Sequence, residues 1–124
     1  MTLDTDVIVA AMRSPLGASA ELLRCILRGE ATMVLSVALA LEYEAICLLE
    51  EHRLAAGLSE REAETFVTGV IALAEPVAMR YRWRPQLRDP GDEMVLETAV
   101  NGRATAIVTF NRRDYGGASE TFLI

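Results

Sequence analysis

At 124 residues, 52% hydrophobic and 24% charged, the chain is sized for one globular domain with a proper core. Its net charge of −6 lacks the basic footprint of a non-specific nucleic-acid binder, and no apolar run approaches the roughly 18 residues of a membrane span. All 12 basic residues are arginine, which excludes any mechanism that needs a lysine ammonium. His52 is the single histidine, which argues against His-based zinc sites and Ser-His-Asp triads. Met1-Thr2-Leu3-Asp4 has no basic stretch ahead of an apolar one, so no signal peptide is expected. Cys25 and Cys47 sit in helix-like segments and read as reduced core residues of a cytoplasmic protein.

From the N-terminus, Leu3 to Ala11 starts apolar and β-branched. It reads as a short first strand ending near Asp4–Asp6, then a turn. Ser14-Pro15-Leu16-Gly17 is loop chemistry. Leu22, Leu23, Ile26 and Leu27 share one face of a helix over 18–28, closed by Gly29. Thr32 to Leu35 reads as a second strand. Ser36 to about Leu54 reads as one long helix, apolar nearly all round and therefore buried on more than one side. Gly57 ends it. Ser59-Glu60-Arg61-Glu62 is a capping box that opens a helix running to about Leu73. Pro76 to Met79 is extended. Asp89-Pro90 starts another helix, carrying Met94, Val95, Leu96, Ala99 and Val100 and stopped by Gly102. Thr105 to Phe110 reads as a strand, 111–117 as a polar loop, and Glu120 to Ile124 as a possible terminal strand. This alternation predicts an α/β fold with a mostly parallel sheet, whose ligands gather beyond the carboxyl ends of the strands.

The five aspartates fall in three clusters: Asp4 and Asp6, Asp89 and Asp92, and Asp114. They lie near predicted strand ends and one helix start, which suggests a single acidic pocket. Glu42 stands out, because Ala38, Ala45, Ile46 and Leu49 surround it on a helix; its alternatives are a buried ion pair with an arginine or a bound metal. Asp89 and Asp92 also read as helix-start residues, and Asp114 as a turn residue. Thr109 and Asn111 close a strand with polar groups, as a pocket rim does. Arg80, Arg82 and Arg84 alternate with Tyr81 and Trp83, which fits either a charge-protected edge strand or a phosphate-contacting rim. Carboxylates from four chain segments cannot all ionise together without compensation. A hard divalent cation, Mg²⁺ or Mn²⁺, provides it through oxygen ligands, and it activates water and stabilises charge on a phosphodiester. The chemistry expected is therefore metal-dependent phosphodiester hydrolysis.

Four stretches together resemble the PIN-domain family: Leu3-Asp4-Thr5-Asp6-Val7-Ile8-Val9, Glu42 in a helix, Arg88-Asp89-Pro90-Gly91-Asp92-Glu93-Met94-Val95-Leu96, and Ile107-Val108-Thr109-Phe110-Asn111-Arg112-Arg113-Asp114-Tyr115. The likeness is greatest to the toxin ribonucleases of bacterial toxin–antitoxin modules. It implies a three-layer α/β/α sandwich over a single domain spanning 1–124, a Mg²⁺ or Mn²⁺ cofactor and an RNA substrate. It also implies a homodimer and inhibition by a cognate antitoxin protein. By the resemblance, Asp4, Glu42 and Asp92 are the catalytic metal ligands and Thr109 is the threonine of the last motif. Asn111 stands where many members carry a fourth aspartate, with Asp6, Asp89 or Asp114 as supporting residues. Arg80, Arg82, Arg84, Arg112 and Arg113 are the candidate RNA contacts. Two other classes stay open. One is a degenerate PIN-like domain that only binds partners. The other is an aspartate-nucleophile phosphatase, suggested by Asp4-Thr5-Asp6 but disfavoured by the absence of lysine.

Overall fold

The computed structural model describes residues 1–77, 95, 98, 99 and 106–110. In chain order the elements are β1 (Thr2–Leu3), α1 (Thr5–Arg13), α2 (Ala18–Leu27), β2 (Val34–Leu35), α3 (Val37–Cys47), α4 (Glu50–Ala55), α5 (Glu60–Leu73), β3 (Glu75–Pro76) and β4 (Ile107–Val108). The pairing is parallel throughout: β1 with β4 in the register Thr2 to Ile107, and β2 with β3 in the register Val34 to Glu75. A backbone bond from Val34 N to the Met1 carbonyl, 2.8 Å, bridges the two pairs. Val95, Thr98 and Ala99 are helical and buried. The fold is α/β, as the alternation of elements predicts, and rich in helix. Among the described residues no helix is long and apolar enough to cross a membrane.

One expected element takes a different form. The stretch after Asp4 is helix, not strand and turn, although Val7, Ile8 and Val9 are β-branched. Burial decides it. Ile8, Ala11 and Met12 recur at helical spacing and, with Val7 and Val9, are all in the core, where α1 packs between α2 and α3. That burial outweighs the few tenths of a kcal/mol by which β-branching disfavours a helix.

The long helix expected from Ser36 is two helices. It breaks at Leu48 and Leu49, where Leu49 is extended at φ −58° and ψ 135° and the chain restarts as α4. Nor is α3 buried all round. Leu39, Tyr43 and Cys47 face the core, while Val37 is 76% and Leu41 61% exposed. Cys25 and Cys47 are both free; burial pushes the Cys47 thiol up to about 11, so it behaves as a small core hydrophobe.

Among the described residues the other expected elements lie near their predicted places, with shorter strands, and Leu27 at the end of α2 is exposed and not on its buried face. Gly29 and Gly57 terminate α2 and α4 with φ of +78° and +72°, a region that L side chains enter only with strain. Ser59 opens α5 with the full reciprocal box: its Oγ accepts from Glu62 N at 3.1 Å, and Glu62 Oε1 accepts from Ser59 N at 3.0 Å. Replacing Ser59 with Ala removes that cap, and the expected loss, read by urea unfolding, is about 1 kcal/mol with no change in helix content. The helix start at Asp89-Pro90, the Arg80–Arg84 stretch, the loop from Asn111 and the terminal strand lie outside the described residues.

Candidate active site

The site begins where β1 stops. Asp4 donates its backbone N–H to the Val108 carbonyl at 2.9 Å, so it is held in the ladder to β4, and the residue is only 6% exposed. It is also the residue preceding α1, with the extended backbone of an N-cap, yet its carboxylate makes no capping hydrogen bond. Its Oδ2 instead accepts the Thr109 hydroxyl at 2.6 Å. An aspartate at a helix start that serves a residue 105 positions away has been diverted from its local structural role.

Asp6 lies one residue into α1 from Thr5 and faces the same strand end. Its Oδ2 accepts the Phe110 N–H at 3.2 Å and lies 3.5 Å from the Thr109 hydroxyl. That hydroxyl has one proton, and the shorter contact assigns it to Asp4. Asp6 Oδ1 is buried and has no hydrogen-bond partner among the described residues. Burial, and then the neighbouring charge of Asp4, raise the Asp6 carboxyl above its ordinary 3.8, against the lowering pull of the Phe110 and Val7 N–H groups.

Glu42 reaches the site from α3. It is half-buried, and its Oε2 accepts the Thr5 hydroxyl at 2.9 Å. Tyr43, the next residue, is fully buried and donates its hydroxyl to the Leu3 carbonyl. Two adjacent residues of α3 therefore bond to Leu3 and Thr5, the residues on either side of Asp4. At the start of α3, Ser36 Oγ accepts from Leu39 N at 3.1 Å and lies 2.7 Å from Thr98 Oγ1, tying the helix that holds Thr98 to the end of β2. Neither hydroxyl is exposed.

Residues 1–113 match the PIN-domain family model. The chain belongs to the PIN-domain family. Its members are generally nucleases and typically use divalent metals. No curated protein and no solved structure matches the chain.

Of the residues singled out by sequence, this PIN domain gathers Asp4, Asp6 and Thr109 into one cluster, with Glu42 joined to it through Thr5. Asp92, Asp89, Asn111, Asp114, Arg80, Arg82, Arg84, Arg112 and Arg113 lie outside the described residues, among which no group of three His, Cys, Asp or Glu side chains could hold a metal. The donors that are described suit a hard cation. They are carboxylate oxygens, and one of them, Asp6 Oδ1, is buried with no partner among the described residues. Thr5, Tyr43 and Ser36 hydrogen-bond in or beside this cluster, and reading the sequence did not single them out. Thr5 carried the one available signal, a hydroxyl between two acidic residues at a strand-to-helix junction.

The cost of Asp6 gives a test. In the folded protein its carboxyl binds a proton more readily than in the unfolded chain, so stability falls as pH rises through the window above 3.8. Asp6→Asn is therefore expected to raise the melting temperature of the metal-free domain at pH 7. The gain should vanish once the wild-type carboxyl is protonated in both states. Thermal melts at several pH values in EDTA check both parts.

Proposed function

We propose that this PIN domain is a Mg²⁺- or Mn²⁺-dependent endoribonuclease that hydrolyses RNA phosphodiester bonds in the cytoplasm, as the toxin of a toxin–antitoxin module. The observation that carries the reading is the Asp4 carboxylate, buried at the carboxyl end of β1 and held by Thr109 instead of capping its own helix. Strand ends of parallel sheets are where such folds collect their ligands. The three-layer α/β/α sandwich belongs to the same reading.

Asp4, Glu42 and Asp92 are the residues that would hold the ion. Bound there, it supplies a Lewis acid for the phosphodiester and lowers the pKa of the attacking water. The chain itself does the rest. Thr109 orients Asp4, and Thr5 orients Glu42. Outer hydrogen bonds of this kind fix ligand geometry and set affinity. Asp6 adds charge beside Asp4, with Asp89, Asn111 and Asp114 as supporting residues. Arg80, Arg82, Arg84, Arg112 and Arg113 contact the RNA backbone, which an acidic chain needs positive groups to approach. A homodimer is supported by the exposed stripe of Val37, Leu41 and Ala45 along α3, spaced four apart. A cognate antitoxin is the second protein partner of this reading.

Calorimetric titration of Mn²⁺ into the wild type and Asp92→Asn tests the proposal. Binding to the wild type that is lost or sharply weakened in the variant is the expected result. No binding at millimolar metal would instead favour a non-catalytic PIN-like binding domain, the reading that Asn111 in place of an aspartate supports.

A further inference from the structure

Phe110 follows Thr109 directly out of β4, and it is 66% exposed. Its two predecessors in the strand, Ile107 and Val108, pack against the core. The chain leading into the ring is anchored twice: Phe110 N–H donates to Asp6 Oδ2 at 3.2 Å, and the preceding Thr109 donates its hydroxyl to Asp4 Oδ2 at 2.6 Å. A large aromatic ring is thus held in water at the rim of the candidate active site, by the carboxylates that form it. Leaving so much apolar surface wet stabilises nothing in the free protein.

We propose that the Phe110 ring is a stacking platform for an unpaired base of the RNA strand whose phosphate lies at Asp4. The inference rests on the ribonuclease reading and adds to it a residue that contacts a base. Two physical arguments select this occupant. The first is charge. A chain of net charge −6 gains little from phosphates near two aspartates, whereas a base stacks on an aromatic ring whatever the charge around it. The second is access. A base in an A-form duplex has both faces covered by its neighbours, so a protruding ring engages only a strand whose bases are splayed. Since the ring is one residue from Thr109, the stacked base belongs to a nucleotide bordering the cleaved bond. Every base has a π-face, so this contact selects for unpaired strand and not for sequence.

The test is fluorescence anisotropy with a short labelled oligoadenylate in EDTA, which allows binding without cleavage, alongside steady-state cleavage of the same strand in Mn²⁺. Phe110→Ala is expected to weaken binding by about 5- to 150-fold, the range for one stacked base, equally at low and high salt. The loss should fall mainly on KM. Phe110→Trp should restore affinity, and Phe110→Leu, apolar but without a π-face, should behave as Ala does. Annealing the oligoadenylate to its complement should remove the difference between wild type and Phe110→Ala. Wild-type affinity in Phe110→Ala, or full rescue by Leu, overturns the stacking assignment while leaving the ribonuclease reading in place. So does unchanged RNA binding with a shift from dimer to monomer in sedimentation, which would assign the ring to a protein interface. A wild type that neither binds nor cleaves the strand removes the ribonuclease reading and this inference together.

Discussion

Asp4→Asn is expected to lower Mn²⁺-dependent RNA cleavage by about 100-fold or more while leaving the fold in place. The substitution is nearly isosteric, and an amide oxygen can still accept the Thr109 hydroxyl that the carboxylate now takes at 2.6 Å. The backbone bond from Asp4 N to the Val108 carbonyl is untouched. What disappears is one negative charge at a buried position. Outer-sphere partners of metal ligands typically contribute 10- to 100-fold, so a direct ligand contributes at least the upper end of that range. The measurements are a cleavage time course and Mn²⁺ calorimetry on the same preparation, with a thermal melt to show that the variant is folded. Full cleavage by Asp4→Asn would remove Asp4, and with it the whole candidate site, from the mechanism.

The largest effect on stability is expected at Tyr43. Its side chain is among the largest that the core encloses completely, and its hydroxyl satisfies the Leu3 carbonyl. Tyr43→Ala should cost roughly 3–5 kcal/mol, a large share of the ~5–15 kcal/mol that holds a domain of this size together. Tyr43→Phe keeps the ring and strands the carbonyl, so about 1–3 kcal/mol is expected. Urea unfolding of both variants separates ring from hydroxyl. The pH dependence supplies a control. Burial first, then the charges of Asp4 and Glu42, push the Tyr43 phenol far above its ordinary 10.0. The unfolded chain therefore releases that proton at a lower pH than the native one. Its stabilising contribution is complete below 10 and is lost as pH rises beyond that value. Tyr43→Phe should flatten this alkaline limb. A limb identical in both proteins would mean that the phenol is not buried as described.

Much of this architecture is legible in the chain, for identifiable reasons. The Ser59–Glu62 box depends on residues three apart, and α5 follows to Leu73 as the local pattern dictates. Parallel pairing is legible from the alternation of strand and helix. The convergence of Asp4 with Thr109 is legible because both stand at strand ends. Where reading the sequence fails, the cause is non-local. Val7, Ile8 and Val9 carry strand preference, and only the α2 and α3 surfaces around them make helix the better solution. The break at Leu48–Leu49 has neither glycine nor proline to announce it. The Thr5 hydroxyl acquires its meaning from Glu42, 37 residues away, a relation that no periodicity encodes.

The pairing of β1 with β4 also bears on how the protein is made. Thr109 leaves the ribosome more than a hundred residues after Asp4. At about 5–20 residues per second, the nascent chain spends several seconds or more with the aspartate exposed and its hydroxyl partner not yet synthesised. Parallel strands so far apart in sequence pair only after the intervening chain has collapsed. A growing or truncated polypeptide that lacks β4 therefore carries Asp4, Asp6 and Glu42 without the strand that aligns them. Whatever chemistry the finished domain performs is withheld until β4 has been made and has paired with β1.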